Sequence, residues 1–164
     1  MSITIAVPRE TANGERRVAV VPSVLKLMDK LGVTVRVQKG AGESAGFTDD
    51  LYEGVSWADS TEELYKGADI ILRVQPPSAE EAGKLPESSI LLSFLTPHEG
   101  DKRIQNLKKR RVTSFALELV PRITRAQSID ALSSQANIAG YECALLAAHL
   151  SPKLFPMLTT AAGT

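Results

Sequence analysis

Ser23-Val24-Leu25-Lys26-Leu27-Met28-Asp29-Lys30-Leu31-Gly32-Val33-Thr34-Val35-Arg36-Val37-Gln38 joins two different hydrophobic periods through one glycine. Val24, Leu27, Met28 and Leu31 recur at the spacing that puts them on one face of a helix, and Gly32 is a stop signal. Val33 to Gln38 then reads as a strand. The chain opens on a similar strand run, Ile3-Thr4-Ile5-Ala6-Val7, so the helical segment between them reads as an amphipathic crossover.

Working outward, three more strand runs follow at Ile70 to Val74, Ile90 to Leu95 and Val112 to Glu118. Helical patterns lie between or beside them at Asp49 to Val55, Thr61 to Lys66, Ala79 to Leu85 and Asp101 to Arg111. This alternation predicts an α/β fold with an open, mainly parallel, Rossmann-like (flavodoxin-like) sheet and helices on both faces. The connections carry ordinary turn residues, such as Asn13-Gly14 and Pro76-Pro77, and contain no low-complexity linker. The longest helical pattern closes the chain, from about Ser128 to about Leu150, and is nearly all small or apolar from Ala136 onward. A helix apolar on most faces is expected to be buried on most faces, here between two bodies. Residues after about Ala139 are accordingly expected to be disordered or covered by another chain.

Length allows a proper core within 164 residues. Lys plus Arg and Asp plus Glu number 19 each, so no net field draws the chain to nucleic acid or anionic lipid. Lys108-Lys109-Arg110-Arg111 ends a predicted helix, where cations complement the dipole. The single cysteine, Cys143, excludes an internal disulfide framework and falls in the apolar helix as a core thiol. His149, in the same helix, reads as structural. Neither a signal-peptide pattern nor an apolar run of spanning length is present, so the expected location is the cytoplasm, without direct membrane insertion.

Chemistry concentrates in Pro121-Arg122-Ile123-Thr124-Arg125-Ala126-Gln127-Ser128-Ile129-Asp130-Ala131-Leu132-Ser133. Pro121 disfavours helix at Val120, and Ser128 or Asp130 is a candidate N-cap, so the segment reads as a loop delivering polar side chains to a helix N-terminus. Arg122, Gln127, Asp130 and Ser133 bring fixed hydrogen-bonding groups and no nucleophile-base pair. Two readings stand: a capped helix with solvated loop residues, or a site built to position a ligand. Other motifs are weaker. Gly40-Ala41-Gly42-Glu43-Ser44-Ala45 has the G-x-G-x-x-A form, but no helix opens within its glycines, so it reads as a turn. Glu15-Arg16-Arg17 and Thr96-Pro97-His98-Glu99 follow strands and read more readily as surface groups than as catalytic ones.

The stretch from Pro121 through Ser133 and on through Ser134-Gln135-Ala136-Asn137-Ile138-Ala139-Gly140-Tyr141 resembles the signature of the NAD(H)-binding component, domain I, of proton-translocating NAD(P) transhydrogenase. Ile5-Ala6-Val7-Pro8-Arg9-Glu10, with Arg17-Val18-Ala19 and Pro22, resembles the opening that this component shares with alanine dehydrogenase. Alanine dehydrogenases carry a substrate-binding lysine and a catalytic histidine at positions held here by Gln75 and Thr96, and share the arginine matching Arg17.

The resemblance implies that hydride passes from NADH to NADP+ and is coupled to proton translocation. Arg122, Gln127 and Asp130 would be the catalytic residues, and Arg122, Gln127, Ser128, Asp130 and Ser133 would contact cofactor. Asp130 and Ser133 would orient the carboxamide and ribose end of NADH, Arg122 would clamp the nicotinamide region, and Gln127 would reach toward NADP(H) on a partner domain. Such a transfer abstracts no proton and needs geometry rather than a base. The implied partners are an NADP(H)-binding domain, a membrane domain at the inner membrane, and a second copy in a homodimer. The implied organisation is an N-terminal α/β subdomain, 1–127, followed at 128–164 by a connecting helix and the start of a Rossmann subdomain that bears the main NADH site. On this reading the chain is a fragment, inactive alone. The alternatives are an alanine- or saccharopine-dehydrogenase-like fragment and a non-catalytic binding module.

Overall fold

The computed structural model describes residues 2–97 and 102–153. The expectations for His98, Glu99 and the closing residues 154–164 fall outside that range. The chain divides into two compact units, one up to Leu119 and one from Val120.

The first unit is a six-stranded sheet made of β1 Thr4–Val7, β2 Thr34–Gln38, β3 Ser56–Ala58, β4 Ile70–Leu72, β5 Ile90–Ser93 and β6 Thr113–Ala116. The order is β3-β2-β1-β4-β5-β6, and every neighbouring pair is parallel. Four helices interleave with them: α1 Leu25–Lys30, α2 Thr61–Tyr65, α3 Ala79–Lys84 and α4 Lys102–Lys109.

One element corrects the sequence reading. The helix expected over Asp49 to Val55 is only a 3-10 turn at Asp49–Leu51, and β3, which follows it, is an additional strand. Gly54, in the left-handed region at φ 75°, follows the turn and leads into β3, which pairs parallel with β2. The five anticipated strands stand in the flavodoxin order 2-1-3-4-5. Adding β3 at the outer edge makes this the Rossmann order 3-2-1-4-5-6.

Side chains of the central strands alternate between two cores. Ile5, Val7, Val35 and Val37 join Val18, Val20, Leu25 and Tyr52 on one face. Ala6, Ile71 and Leu91 join Leu64, Tyr65, Leu85 and Leu107 on the other. Period-two alternation therefore buries both faces of β1, as a parallel sheet covered on each side requires. The helices on the second face begin cleanly. The Ser60 hydroxyl accepts the Glu63 N–H at the start of α2, while Ser78 and Glu81 form a reciprocal capping box on α3.

In the second unit a 3-10 segment, Thr124–Ile129, leads into α5, Ala131–Leu150. The helix thus starts three residues later than its sequence pattern, because Ser128 is inside the 3-10 segment and Asp130 is the cap. It also runs unbroken past Ala139, with Ile138, Tyr141, Leu145, Leu146 and Leu150 exposed. Continuous order and exposure in the single chain count against packing this helix between two bodies. Its apolar residues are spread around the circumference, so no stripe directs it onto a core. Cys143 is exposed rather than buried as expected, and His149 is exposed in the last turn. Among the described residues no helix is long and apolar enough to cross a membrane.

Candidate functional site

In the second unit, the polar segment is organised by Asp130. Its Oδ1 accepts the Ser133 N–H at 2.9 Å, and its Oδ2 accepts the Ser133 hydroxyl at 2.6 Å. The carboxylate therefore caps α5 and fixes the Ser133 rotamer with the same two oxygens. The Ser133 hydroxyl, then its N–H, and more weakly the positive charge of Arg122, hold Asp130 below the usual carboxylate value. It carries full charge at neutral pH.

The remaining residues of this segment are held by the main chain. The Ile123 N–H donates to the Pro121 carbonyl, the Ala126 N–H donates to the Ile123 carbonyl, and the Asp130 N–H donates to the Gln127 carbonyl. Ala126 is buried, whereas Arg122, Gln127, Ser128 and Ser133 are exposed. Asp130 and Ser133 are thus brought into direct contact, and Arg122 close enough to act on Asp130 by charge. Gln127 and Ser128 precede the helix instead of lying on its first turns, because the helix begins at Ala131.

In the first unit, the reversal of strand order between β1 and β4 creates a topological switch point at their carboxyl ends, the place where open α/β sheets take ligands. A buried ionic cluster fills it. Glu10, beyond β1, accepts the Val74 N–H at 2.6 Å and the Gln75 N–H at 3.2 Å. Arg73, just after β4, lies 3.9 Å from Glu10 and 3.2 Å from Glu81, and its side chain is 2% exposed. Although Nη1 approaches Glu81, neither it nor Nε is aligned for a hydrogen bond. Burial raises the Glu10 carboxyl against the pull of the Val74 N–H and Arg73.

Glu15 completes the cluster. Its carboxylate accepts Arg17 Nε at 2.8 Å, Arg17 Nη2 at 2.6 Å, the Arg17 N–H at 2.8 Å and Gln75 Nε2 at 2.6 Å. The Arg17 fork, with help from the Gln75 amide, holds Glu15 at about 2 in spite of its burial. The next strand end is closed in the same manner: Glu118 accepts the Leu95 and Thr96 N–H groups, and Thr96 adopts a left-handed φ of 43°. Sequence reading treated Glu15-Arg16-Arg17 as surface and passed over Glu10 and Arg73. Position after a strand's carboxyl end was the signal for each, and Arg17 also matched the arginine shared with alanine dehydrogenase.

The glycine loop is a turn, as its context suggested. The Gly40 N–H donates to the Asp49 carboxylate, and a Cβ at Gly42 would lie 2.6 Å from both the Phe47 carbonyl and the Tyr52 hydroxyl. Close packing, not phosphate, explains Gly42. Among the described residues, no group of three His, Cys, Asp or Glu side chains is placed to hold a metal.

Strand order, two-faced core and switch point define a Rossmann-order α/β domain. The chain belongs to the alanine dehydrogenase/PNT N-terminal domain family, whose sequence profile matches residues 6–139. It is 40% identical over 167 residues to the first of the alpha-subunit polypeptides of NAD(P) transhydrogenase from Rhodospirillum rubrum, covering 98% of this chain and 44% of that protein. Alanine dehydrogenase of Mycobacterium tuberculosis is more distant, 30% identical over 88% of the chain and 39% of its own length. The solved structure of transhydrogenase from Sinorhizobium meliloti superposes with a TM-score of 0.87 at 38% identity, over 98% of this chain and 48% of that one. The chain thus spans less than half the length of these relatives.

Proposed function

We propose that this chain is the N-terminal part of the NAD(H)-handling component of an NAD(P) transhydrogenase, and that its segment from Arg122 to Ser133 orients the nicotinamide end of NADH for transfer to NADP+. The observation that carries the reading is the Asp130–Ser133 pair, a charged cap with a fixed hydroxyl beside exposed Arg122, Gln127 and Ser128. Identity of 40% over nearly the whole chain to a transhydrogenase subunit supports it.

The residues present fit a nicotinamide cofactor. A carboxamide needs both a donor and an acceptor, and the Gln127 amide and Ser128 hydroxyl are exposed with both capacities. Arg122 supplies a permanent cation, and Asp130 remains ionised because Ser133 holds it so. When bound, the cofactor supplies the hydride. The protein supplies fixed hydrogen-bonding directions, which for a reaction between two held rings contributes through orientation. Asp130 is committed to the helix start, so its role is to hold Ser133 and the local backbone in one geometry.

In this reading α5 connects the α/β unit to a Rossmann domain that carries the remainder of the NADH site, with 1–127 and 128–164 as the two functional parts. An NADP(H)-binding domain and a membrane domain are the partners, with a homodimer as the assembly and peripheral attachment to the inner membrane through those partners. Because relatives are more than twice as long, the chain alone would bind NADH weakly and transfer no hydride.

A chimera tests this. Residues 1–164 replace the matching segment of the Rhodospirillum rubrum subunit, and the reassembled enzyme is assayed for hydride transfer. Transfer should persist, and Gln127→Ala and Asp130→Ala should each lower kcat by about 10- to 100-fold, the range that small misplacements of reactants produce. Unchanged rates in both variants would remove the positioning role.

A further inference from the structure

The crossover from β2 to β3 carries no α-helix. Parallel neighbours are ordinarily joined through one, yet residues 39–55 hold only two 3-10 turns, Glu43–Ala45 and Asp49–Leu51. The preceding crossover, from β1 to β2, does contain a helix, α1. Its Leu25 and Met28 pack on the same face of the sheet as Tyr52 and Val55 of the second crossover. Among the described residues of the first unit, α1 is the only α-helix that contributes to that core. A groove of about 630 Å3 is left between α1 and the chain leading into β3. Leu25 and Val35 line it and are buried, Val33 and Val55 line it half-buried, and Leu51 is 46% exposed.

Charge marks the rim. Lys26 and Asp29 from α1 and Glu53 from the chain before β3 also line the groove, and all three are exposed. Their side chains enter no ion pair or hydrogen bond with any described residue. Comparable surface charges elsewhere in this unit are paired: Lys39 lies 2.7 Å from Asp59, and Lys84 lies 2.7 Å from Glu80. Asp50, exposed in the turn just before Leu51, adds further negative charge on that side. The groove is therefore apolar along its length and net acidic at its edges, the complement of a helix whose apolar stripe is flanked by Lys or Arg. We infer that it docks an amphipathic, cation-flanked helix of a partner protein. That helix takes the place beside α1 which a right-handed β2–β3 crossover helix would otherwise hold, covering Val33, Leu51 and Val55 and setting its cations against Asp29 and Glu53. The inference is independent of the hydride-transfer reading, which concerns residues of the second unit.

The probe is an acetylated peptide of about four helical turns, with leucines at i, i+3, i+4 and i+7 and lysines flanking them. Titrated into the unsubstituted chain, it should move the amide resonances of Val33, Leu51, Gly54 and Val55 together and saturably. A peptide of the same composition in scrambled order should leave them in place, and so should one with glutamate for lysine. Asp29→Lys combined with Glu53→Lys should weaken binding of the lysine peptide about tenfold, as inversion of two exposed charge pairs allows, and Leu51→Ser should weaken it as well. These positions are exposed, so the variants should keep their Tm within about 2 °C of the unsubstituted chain. Absence of a saturable shift at the groove, an equal response to the scrambled or glutamate peptide, or equal affinity for the rim-reversed chain overturns the inference. So does concentration-dependent dimerisation that the same substitutions abolish, which would assign the groove to a second copy.

Discussion

Arg73 is a cation with little access to water and an incompletely used set of donors, which makes it the residue whose loss should be felt most sharply. Arg73→Met keeps the apolar stem but leaves Glu10 facing the sheet without a counter-charge. Removing one partner of a buried pair costs about 3–5 kcal/mol. Here the loss should depend on pH, because Glu10 already has a raised carboxyl. A raised folded-state value means that the native protein binds the proton more tightly than the unfolded chain, so stability falls as pH rises through that value. Urea unfolding of Arg73→Met should therefore show a larger deficit at pH 7 than at pH 5, and an equal deficit would mean that Glu10 is not the group left exposed to the loss. Glu15 has the opposite sign. Held at about 2 against an ordinary 4.5, it contributes stability that is complete above 4.5 and disappears as pH falls toward 2. Glu15→Ala should lack that acid-side decline in the same assay.

At the scale of elements, the capping box on α3 and the hydroxyl cap on α2 are short-range devices whose value can be measured directly. Ser78→Ala should lower unfolding stability by about 1 kcal/mol, and Leu91→Ala, from a fully buried position in β5, by about 2–5 kcal/mol. Chemical denaturation checks both, and a Ser78→Ala loss as large as that of Leu91→Ala would contradict the surface position of the cap. These elements were legible in the sequence because their signals are local: Val33 to Gln38 alternates within itself, and Ser78 lies three residues before Glu81. β3 was not legible, since Ser56-Trp57-Ala58 is too short to show a period and is defined by pairing with β2. The polar segment of the second unit stood out because its polar groups are closely spaced between an apolar strand pattern and an apolar helix pattern. The Glu10, Arg73 and Glu15 cluster stayed hidden because its members are far apart in sequence, and only strand order brings them together.

For the whole molecule, the two units differ in how their backbone is protected. The strands β1 and β4 lie within a sheet covered on both faces, whereas α5 exposes nearly every side chain along its 20 residues. Most helical stability in proteins comes from packing an apolar face, which this exposed helix lacks within the chain, so opening should be local and easy there. Amide hydrogen exchange on the chain should show α5 exchanging orders of magnitude faster than Ile5, Ile71 and Leu91; equal protection would mean that the single chain covers the helix. The strand order has a consequence of another kind. Ile5 pairs with Val35 on one side and with Ile70 on the other, so β1 leaves the ribosome before either neighbour, becomes the centre of the sheet and waits longest for its second partner. Until β4 emerges, one side of β1 offers open backbone groups and apolar side chains to any passing strand, and closing that gap across some 65 residues is a slow, non-local step. Nascent chains stalled before Ile70 should thus be the species most in need of a chaperone.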